Sequence, residues 1–583
     1  MFGWCGRLLQ IDLTKRTGFE QSLSPEFCRM FIGGRGMAGY FLKGHVTRAW
    51  DDYLMPLLLF TGPLVNTASP TSGRMCIMSR SPLTGTVGDS SVGGSFGTSL
   101  KKAGWDGLII TGRSDCLCGI EITDSHWVIR DADHLKGAMT DMVHEECESK
   151  GSVLCVGPAA ENGIRFSSIM VDRHFAAGRN GLGLVCAGKN LKYITVKGSA
   201  NTPVHNKTEL KAAREQIYRL AAASPVLMGE AGISNRGTGA LYDLMDSRCM
   251  MPTENFQRTR FSDAARMNAH AYQKKFRPKK DGCKGCHILC KKRGANGEVI
   301  PEFETMSHFS ALLVNTDIDS IIQANRICNS MGMDTISAAA TLACFSEITG
   351  NRLTPDRIIS LLEDIGLSKG EGRELGKGSA AFADDTGCNS ASMSVKAQEI
   401  PAYDPRGAYG MALAYAISTR GACHLRAYPI SHEILRKPVS TDRFSFQGKA
   451  RIIKIAEDMN AVVDSLTVCK FLFLAASLEE FAKAYTAVTG IETSAQELIR
   501  AGERTVYQER IMNALNGFCA AHDDLPERFF ESGGTSGAGF DVPGLNREDF
   551  LQARARYYRI RGLDSNGIPL QHKAAELGLE WKS

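Results

Sequence analysis

The pattern of apolar residues changes near residue 205, and this change limits the fold more than any other feature of the sequence. Residues 1–205 are rich in glycine, serine and threonine, and their apolar runs are short, as in RLLQIDL, RMCIMS, GLIITG and YITVKG. Such runs between glycine turns are typical of strands. From TELKAAREQIYRLAAA onward, apolar residues recur three and four positions apart, which indicates amphipathic helices. We therefore predict an α+β chain with a β-rich first part and a long helical remainder.

The helical remainder has a break of its own. Helical spacing lapses in SVKAQEIPAYDPRGAYG, around Pro401 and Pro405. Because 583 residues are too many for one compact core, we expect two to four domains or one large intertwined enzyme, with a break inside the helical part near this segment.

Charge and hydropathy exclude two classes of protein. The 68 basic and 63 acidic residues leave a net charge of only +5, and they are scattered along the chain, so nucleic-acid binding is not expected. The most apolar stretches, YLMPLLLFTGPLV and VCKFLFLAASL, are shorter than the roughly 20 residues of a membrane span. The opening MFGWCGRLLQIDLTKRTG resembles a strand and turn rather than an export leader. We predict a cytoplasmic protein, in which the 18 cysteines are thiols or metal ligands.

Three cysteines lie close together in DGCKGCHILCKK. Cys283, Cys286 and Cys290 form CxxCxxxC, a spacing that lets three thiolates converge on one side of a turn. We favour an iron–sulfur cluster, which needs a fourth ligand. Three alternatives stay open: a zinc site that includes His287, a c-type haem attachment at CKGCH, and cysteines without a ligand. Haem attachment requires export and leaves Cys290 unexplained.

Cys469, in DSLTVCKFLF, is a candidate for the fourth ligand. It lies between two apolar runs, so we expect it to be buried near the core. The alternative is that Cys469 acts only as a small hydrophobic residue, as buried free cysteines usually do.

Glycine-rich segments indicate where the backbone approaches a bound group. Gly34, Gly36 and Gly39 in GGRGMAG have GxGxxG spacing, but structural glycines fit the context better than a flavin or nicotinamide site, which remains an alternative. Residues 81–104 and 176–192 each place glycines and hydroxyls ahead of a helical segment, near Arg74 and Arg179 respectively. Backbone N–H groups at a helix start together with a guanidinium suit phosphate, so two phosphorylated groups are expected.

The ordered set of GRGMAG, SPLTGTVG, GRNGLG with AGKNLK, CxxCxxxC, PEFET, GMDTIS, RGACHLRA and DxxxxC resembles the tungsten-containing aldehyde:ferredoxin oxidoreductase family over nearly the whole chain. The resemblance implies a β-rich domain that forms a base under two pyranopterins holding one tungsten or molybdenum, with two helical domains above it. It also implies a 4Fe-4S cluster. The predicted domains are residues 1–205, residues 206–395 with CxxCxxxC, and residues 396–583 with the fourth cluster cysteine.

The resemblance also assigns residues to the cofactors. It implies that Cys283, Cys286, Cys290 and Cys469 hold the cluster and that Arg74 lies between the cluster and a pterin. Around the pterin phosphates and a bridging Mg²⁺ it places Ser91, Gly93, Gly94, Arg179, Asn180 and Gly181. Two motifs would bind the pterins: NSMGMD with Asn329 and Asp334, and DSLTVC with Asp464 and Val468. Asn329 stands where the family has an acid, and an amide can replace a carboxylate as acceptor.

For the reaction, the resemblance implies oxidation of aldehydes to carboxylic acids. Glu304 of PEFET would be the general base and His424 of RGACHLRA the hydrogen-bond donor to the carbonyl. The alternatives are a helix-start acid and a core histidine. Electrons would leave through the cluster to ferredoxin or a ferredoxin-like subunit, and Lys284, Lys291 and Lys292 are expected to attract that acidic partner.

Other activities and assemblies remain open. The same scaffold hosts the catalytic subunit of class II benzoyl-coenzyme A reductases, which is the main alternative, and an electron-transfer protein with only an iron–sulfur cluster is another. Gln323 stands where some family members have an acid that binds a metal between two subunits. We therefore expect an oligomer in which a flavin- or NAD-binding subunit is one candidate partner.

Overall fold

Two six-stranded sheets form the first part of the chain, within residues 1–124 and 126–205. The computed structural model describes residues 1–124, 126–537, 539 and 541–581. The strands are β1 Arg7–Asp12, β2 Thr17–Ser22, β3 Leu57–Phe60, β4 Met75–Arg80, β5 Val87–Val92, β6 Gly107–Thr111, β7 Cys118–Ile122, β8 Trp127–Asp131, β9 Ser152–Val156, β10 Ile169–Val171, β11 Phe175–Ala177 and β12 Leu191–Val196.

Both sheets are mixed. The first has the order β2-β1-β6-β3-β4-β5 and the second β11-β10-β9-β12-β7-β8. The neighbours β1 and β6 run parallel, as do β12 and β7, and the other pairs are antiparallel. Strands β3, β9 and β12 are buried at every residue, whereas the edge strand β2 is largely exposed. Continuous apolar runs therefore form the central strands, because both faces of these sheets are covered.

Helices make up most of the chain after residue 205, as the apolar spacing there predicts, and other helices lie between the strands of the first part. Those of seven or more residues are Pro25–Phe31, Gly34–Lys43, Phe96–Lys102, Thr140–Cys147, Leu182–Gly188, Lys207–Ala222, Ala269–Phe276, Ile318–Met331, Thr335–Thr349, Pro355–Gly366, Ser379–Asp385, Tyr409–Ile417, Lys449–Leu466, Leu478–Thr489, Ala495–Leu515 and Arg547–Arg561. Shorter ones are Pro158–Glu161, Pro225–Met228, Ile233–Arg236, Tyr242–Ser247, Ala264–Met267, Phe303–Ser307, Gly372–Leu375, Ile430–Glu433, Arg528–Glu531 and Gln571–Glu576.

The helical part also contains two short hairpins. One pairs Lys279–Asp281 with Lys291–Arg293 and encloses the cysteine run, and the other pairs Ser394–Val395 with Gln398–Glu399 in the predicted break. The α+β class with its β-rich first part is therefore confirmed. No helix in the described part of the chain is long and apolar enough to cross a membrane.

GGRGMAG does not form a dinucleotide-binding turn. The element before it is the helix Pro25–Phe31 rather than a strand, and the helix Gly34–Lys43 starts within the motif. A Cβ atom on Gly34 would lie 2.2 Å from the carbonyl oxygen of Asp464, and one on Gly62 2.3 Å from that of Leu466. These glycines therefore allow two backbones to meet, as the structural interpretation of the motif predicts.

Buried ion pairs join the sheets to the helices across the same contact. Arg35 pairs with Glu509 at 2.6 Å and with Asp464 at 3.4 Å, and all three side chains are at most 2% exposed. Asp89 of β5 pairs with Arg426. Charges this deep stay ionised only when they are paired and hydrogen-bonded.

We predict that Arg35→Ala destabilises the protein by about 3 kcal/mol or more, since it removes the closest partner of the buried Glu509 carboxylate. The thermal unfolding midpoint measures this effect. As a control, Lys15→Ala breaks a pair with Asp12 in which the lysine is 74% exposed, and it should cost less than about 1 kcal/mol. Equal shifts of the midpoint in the two variants would contradict the prediction.

Candidate active site

The four cysteines singled out in the sequence line one cavity. Cys283, Cys286 and Cys290 lie in the loop of the hairpin Lys279–Asp281 and Lys291–Arg293, where the Cys286 N–H donates to the Cys283 carbonyl at 3.1 Å. Cys469 follows the helix Lys449–Leu466. The cavity that all four line has a volume of about 480 Å³. The structure thus brings together residues that are about 180 positions apart in the sequence.

Hydrogen bonds to the sheet domain hold Cys469 in place. Thr467 ends the preceding helix with a positive φ of 54°. Its hydroxyl accepts a hydrogen bond from the Gly62 N–H at 2.9 Å, and its carbonyl accepts one from the Arg74 N–H at 3.3 Å. The Cys469 N–H donates to the Thr71 carbonyl at 3.1 Å. The loop before β4 therefore positions this cysteine opposite the hairpin.

The spacing of these thiols does not suit a single metal ion. Among the described residues, no three of the four sulfur atoms lie within 4.8 Å of one another. In a tetrahedral zinc site the sulfurs would be roughly 4 Å apart. A cube of iron and sulfide, in which each thiolate binds a different iron, fits the wider arrangement. His287, the fourth candidate zinc ligand, instead packs its ring against Tyr218 at 4.6 Å between centroids.

Burial keeps the thiols of Cys286, Cys290 and Cys469 protonated when no metal is bound. It raises the pKa of Cys469 to about 11, and it raises the pKa of Cys286 and Cys290 as well. Thiolate ligands must lose their protons, so a bound metal would have to supply the positive charge that stabilises them. The nearby Arg74 supplies part of this positive charge. Burial by itself would lower the pKa of its guanidinium, but the neighbouring Cys469 and Cys283 raise that pKa overall.

Arg74 lies between two cavities. It lines the cavity of the cysteines and a second one of about 160 Å³. Its Nε donates to Ser91 Oγ at 2.9 Å and its Nη2 to the Ser91 carbonyl at 2.6 Å. Gly93 follows in the same segment, where a Cβ atom would lie 2.5 Å from Cys283 Sγ. Only glycine fits between this strand and the cysteine loop.

The second cavity brings together one predicted pterin motif and the segment after β5. Asn329, Asp334, Gly93 and Arg74 all line it. Asp334 caps the helix Thr335–Thr349 by accepting from the Ile336 N–H at 3.1 Å, and it lies 3.3 Å from Arg179 Nε. The side chain of Asn329, by contrast, makes a long amide contact of 3.5 Å to Asn325, while its carbonyl accepts from the Thr140 hydroxyl at 2.8 Å.

Seven of the residues predicted to bind the cofactor line neither cavity: Ser91, Gly94, Arg179, Asn180, Gly181, Asp464 and Val468. Arg179 donates to the carbonyls of Glu399 at 2.7 Å and Ala422 at 3.3 Å. Asn180 donates to the Arg420 carbonyl at 2.9 Å. This loop therefore joins the sheet domain to the helical part, and its side chains contact the chain itself.

A buried polar cluster surrounds Asp464 and was not predicted from the sequence. Asp464 contacts Lys470 at 2.9 Å and Arg426 at 3.9 Å, in addition to Arg35. Within the described chain, Asp464 Oδ1 and Arg426 Nε are buried without a hydrogen-bond partner. Both arginines lie in motifs already noted, GGRGMAG and RGACHLRA. Their acidic partners come from distant segments, so the motifs alone did not reveal the cluster.

Glu304 and His424 meet on the wall of the larger cavity. Glu304 lies in the first turn of the helix Phe303–Ser307, and its Oε1 is 3.4 Å from His424 Nε2. Glu304 Oε2 accepts from the Ala402 N–H at 2.7 Å. Glu304 Oε1 and His424 Nδ1 are buried, and neither has a hydrogen-bond partner among the described residues. These two atoms are therefore available to a water molecule or a bound carbonyl group.

Burial makes both groups neutral near pH 7. It raises the pKa of Glu304 from 4.5 to about 8. It also lowers the pKa of His424 well below 6.5, and the positive charge of Arg179 lowers it further. A carboxylic acid and a neutral imidazole in one cleft are typical of sites that transfer protons.

The lysine prediction was wrong for two of its three residues. Lys291 pairs with Glu302 at 3.0 Å and lies over the Phe175 ring at 5.1 Å, with a side chain 17% exposed. Lys292 is 4% exposed, and its ammonium donates to the Leu289 carbonyl. Lys284 is exposed, and the same hairpin also exposes Lys279 and Lys280. Neighbouring segments cover both faces of the strand Lys291–Arg293 at these two positions, which the spacing of lysines did not indicate.

Comparison with known proteins places the whole chain in one family. The family model "Aldehyde ferredoxin oxidoreductase, N-terminal domain" matches residues 8–198, and "Aldehyde ferredoxin oxidoreductase, domains 2 & 3" matches residues 212–579. The tungsten-containing aldehyde ferredoxin oxidoreductase of Pyrococcus horikoshii is 34% identical, with 100% of both chains covered. That of Pyrococcus furiosus is 33% identical, with 99% of both covered.

Two more distant proteins also match this chain over nearly its whole length. The aliphatic sulfonate oxidoreductase, WOR-like subunit, of Pyrococcus furiosus is 26% identical and covers 99% of this chain and 97% of its own. Among solved structures, the active site complex BamBC of benzoyl coenzyme A reductase with 1,5-dienoyl-CoA superposes with a TM-score of 0.84 at 20% identity, covering 99% of this chain and 97% of the other. The similarity to the benzoyl coenzyme A reductase complex shows that the two chains share a fold.

The raised pKa of Glu304 predicts a pH-dependent stability. The unfolded carboxyl ionises near 4.5 and the folded one near 8, so the folded state holds more protons between these values and stability falls as pH rises through them. Glu304→Gln lacks this titration. Its melting temperature relative to the wild type should therefore increase from about pH 4.5 to about pH 8. The exposed Glu215→Gln is the control, and a pH-independent difference for Glu304→Gln would contradict the prediction.

Proposed function

This chain belongs to the aldehyde ferredoxin oxidoreductase family and is an oxidoreductase, and on that premise we propose that it oxidises aldehydes to carboxylic acids. The electrons pass through a 4Fe-4S cluster to ferredoxin or a ferredoxin-like subunit. Membership of the family implies a tungsten pterin cofactor. The observation that carries the proposal is the contact of Glu304 with His424 on the wall of the cavity that the four cysteines line.

The four cysteines and part of the predicted pterin set, namely Arg74, Gly93, Asn329 and Asp334, line cavities that fit the cofactors. Cys283, Cys286, Cys290 and Cys469 would hold the cluster, with Arg74 between it and the second cavity. Asn329 and Asp334 would hold one pterin, and Asp464 with Val468 the other. Support comes from three polar atoms that are buried without a partner in the described chain: Asp464 Oδ1, Arg426 Nε and Asn180 Oδ1. Such atoms are usually satisfied by a water molecule, an ion or a bound polar group.

Ser91, Gly93, Gly94, Arg179, Asn180 and Gly181 would surround the pterin phosphates and a bridging Mg²⁺. When bound, a bis-pyranopterin centre with tungsten or molybdenum supplies the acceptor of two electrons. The chain's own residues bind and orient the aldehyde, exclude water from the buried wall and transfer protons.

Aldehyde oxidation adds one water oxygen to the carbonyl carbon and releases two electrons and two protons. We assign the general base to Glu304, whose Oε1 accepts a proton from the attacking water when the carboxyl is ionised. His424 Nδ1, in its protonated tautomer, donates a hydrogen bond to the carbonyl oxygen. Because the pKa of Glu304 is about 8, the fraction of ionised base rises with pH through that value.

The partner in electron transfer would bind where the cluster is nearest the surface. Cys283 and Cys286 are partly exposed, and Lys284 between them is exposed together with Lys279 and Lys280 of the same hairpin. Three positive charges beside the exit suit an acidic ferredoxin or ferredoxin-like subunit. We further propose that the enzyme works in the cytoplasm, as part of an oligomer in which a flavin- or NAD-binding subunit can take the electrons onward.

We predict that Glu304→Gln lowers kcat/KM for aldehydes about 10²- to 10⁴-fold, the usual contribution of a general base. The assay follows reduction of a viologen dye by benzaldehyde and by acetaldehyde. In the wild type kcat/KM should rise with pH through about 8, and in the variant this rise should disappear. Tungsten and iron contents should match those of the wild type, and Glu215→Gln should behave like the wild type.

The same assays separate the proposed reaction from its main alternative. Benzoyl-coenzyme A is supplied with a strong reductant in a parallel experiment. Reduction of this thioester without oxidation of either aldehyde would exclude the proposal and favour a benzoyl-coenzyme A reductase. If Glu304→Gln still oxidises aldehydes with an unchanged pH profile, the role of Glu304 as general base is excluded, whereas the proposed reaction is not.

We also predict that Cys469→Ser lowers the iron content from about four atoms per chain, because a cube that loses one thiolate ligand loses the iron held there. Elemental analysis and the visible absorbance of the cluster measure the change. Cys519→Ser, which alters a cysteine outside both cavities, is the matched control. An unchanged iron content in Cys469→Ser, or one zinc per chain in place of iron, would contradict the cluster assignment.

A further inference from the structure

An aromatic wall borders Glu304 and His424. Phe303, Tyr403 and Tyr428 line the same cavity as these two residues. Tyr403 is at the centre of the wall, with its ring centroid 5.3 Å from Phe303, 5.6 Å from His424 and 5.9 Å from Tyr428. The atoms assigned to proton transfer are therefore next to aromatic rings that already contact one another.

Hydrogen bonds and mutual packing hold the residues of this wall in place. Tyr403 is 2% exposed, and its carbonyl accepts a hydrogen bond from the Tyr415 hydroxyl at 3.2 Å. The Phe303 N–H donates to Thr238 Oγ1 at 2.8 Å. The hydroxyl groups of Tyr403 and Tyr428 contact each other at 3.4 Å. Since these side chains are already ordered, a ligand that stacks on them pays little entropy for their immobilisation.

The wall is also uncharged near pH 7. Burial raises the pKa of Tyr428 to about 12 and that of Tyr403 well above its usual value, so both phenols keep their protons. His424 is neutral, and Glu304 is mostly protonated below its pKa of about 8. This part of the cavity therefore suits a neutral substituent on the substrate.

The cations on the cavity wall have other contacts. Lys470 pairs with Asp464 at 2.9 Å and Lys291 with Glu302 at 3.0 Å, and Arg74 donates to Ser91. Lys284 lies inside the cysteine run. Lys102 follows one turn after Thr98, which faces Gly73 on the cysteine side of the cavity. The cation nearest His424 among the described lining residues is Lys470, and its ammonium is already held by Asp464 and by the Leu425 carbonyl at 2.9 Å, so it is not free to bind a phosphate or carboxylate of the substrate.

We propose that the site prefers aldehydes whose carbonyl is attached to an aromatic ring over aliphatic and phosphorylated aldehydes, with Tyr403 and Tyr428 as the residues that determine this specificity. The inference rests on the proposed aldehyde oxidation. An aryl ring packs offset or edge-on against these side chains while its carbonyl contacts His424 Nδ1. Each such contact adds stabilisation beyond the area it buries, which corresponds to about a 2- to 12-fold gain in kcat/KM.

The test measures kcat/KM of the holoenzyme for benzaldehyde, butanal and glyceraldehyde 3-phosphate with a viologen dye. We expect benzaldehyde to be the best substrate and the phosphorylated aldehyde the poorest. Tyr428→Leu removes the ring and should lower the ratio of kcat/KM for benzaldehyde to that for butanal about 2- to 12-fold. Tyr428→Phe is the matched variant, because it keeps the ring and should keep the ratio.

The outcomes separate this inference from the proposed function. Equal or better turnover of butanal by the wild type overturns the preference for aryl aldehydes, and leaves aldehyde oxidation standing. A ratio that is the same in Tyr428→Leu and the wild type overturns the role of Tyr428. If none of the three aldehydes is oxidised by protein that contains tungsten and iron, the proposed function fails as well. The wild-type measurements decide the preference even if Tyr428→Leu does not fold.

Discussion

The close backbone contact between the glycines at 33, 34 and 62 and the end of the helix Lys449–Leu466 is the constraint on which the site depends. Added Cβ atoms at these positions would lie less than 3 Å from the carbonyl oxygens of residues 464–466. The contact places Asp464 and Cys469 against the sheet domain, where the hydrogen bonds of Thr467 with Gly62 and Arg74 align them. Without this approach, Cys469 would not reach the cavity that the cysteine loop lines.

Burial at this junction shifts the pKa values of different groups in opposite directions. It raises the pKa of the Cys469 thiol and of the Glu304 carboxyl, and it lowers that of the His424 imidazole. Desolvation disfavours whichever form is charged, so one environment yields protonated thiols, a carboxylic acid and a neutral base. The ion pairs of Arg35 and Arg426 with Glu509 and Asp89 lie at the same contact, where each charge has a partner.

Predictions from the sequence were most accurate where chemistry follows from local spacing. CxxCxxxC forms a loop whose cysteines line one cavity, and the glycines of GGRGMAG serve close packing rather than a dinucleotide. They were less accurate for long side chains. Lys291 and Lys292 turn inward on the hairpin, and Arg179 contacts backbone carbonyls of the helical part. The direction of such a side chain depends on which segment packs beside it, and no pattern of neighbouring residues contains that information.

The amino-acid sequence by itself determined the α+β class, the change to helices near residue 205, the cysteine loop and, through the order of its motifs, the family. These properties depend on periodicity and spacing along the chain, which are local. Only the tertiary structure decided that Cys469 faces the cysteine loop, that Glu304 contacts His424 and that Tyr403 places aromatic rings beside them. Those contacts join segments about 100 or more residues apart, or rings that meet only after folding. The pKa values of the groups involved follow from their burial, which does not exist in the extended chain.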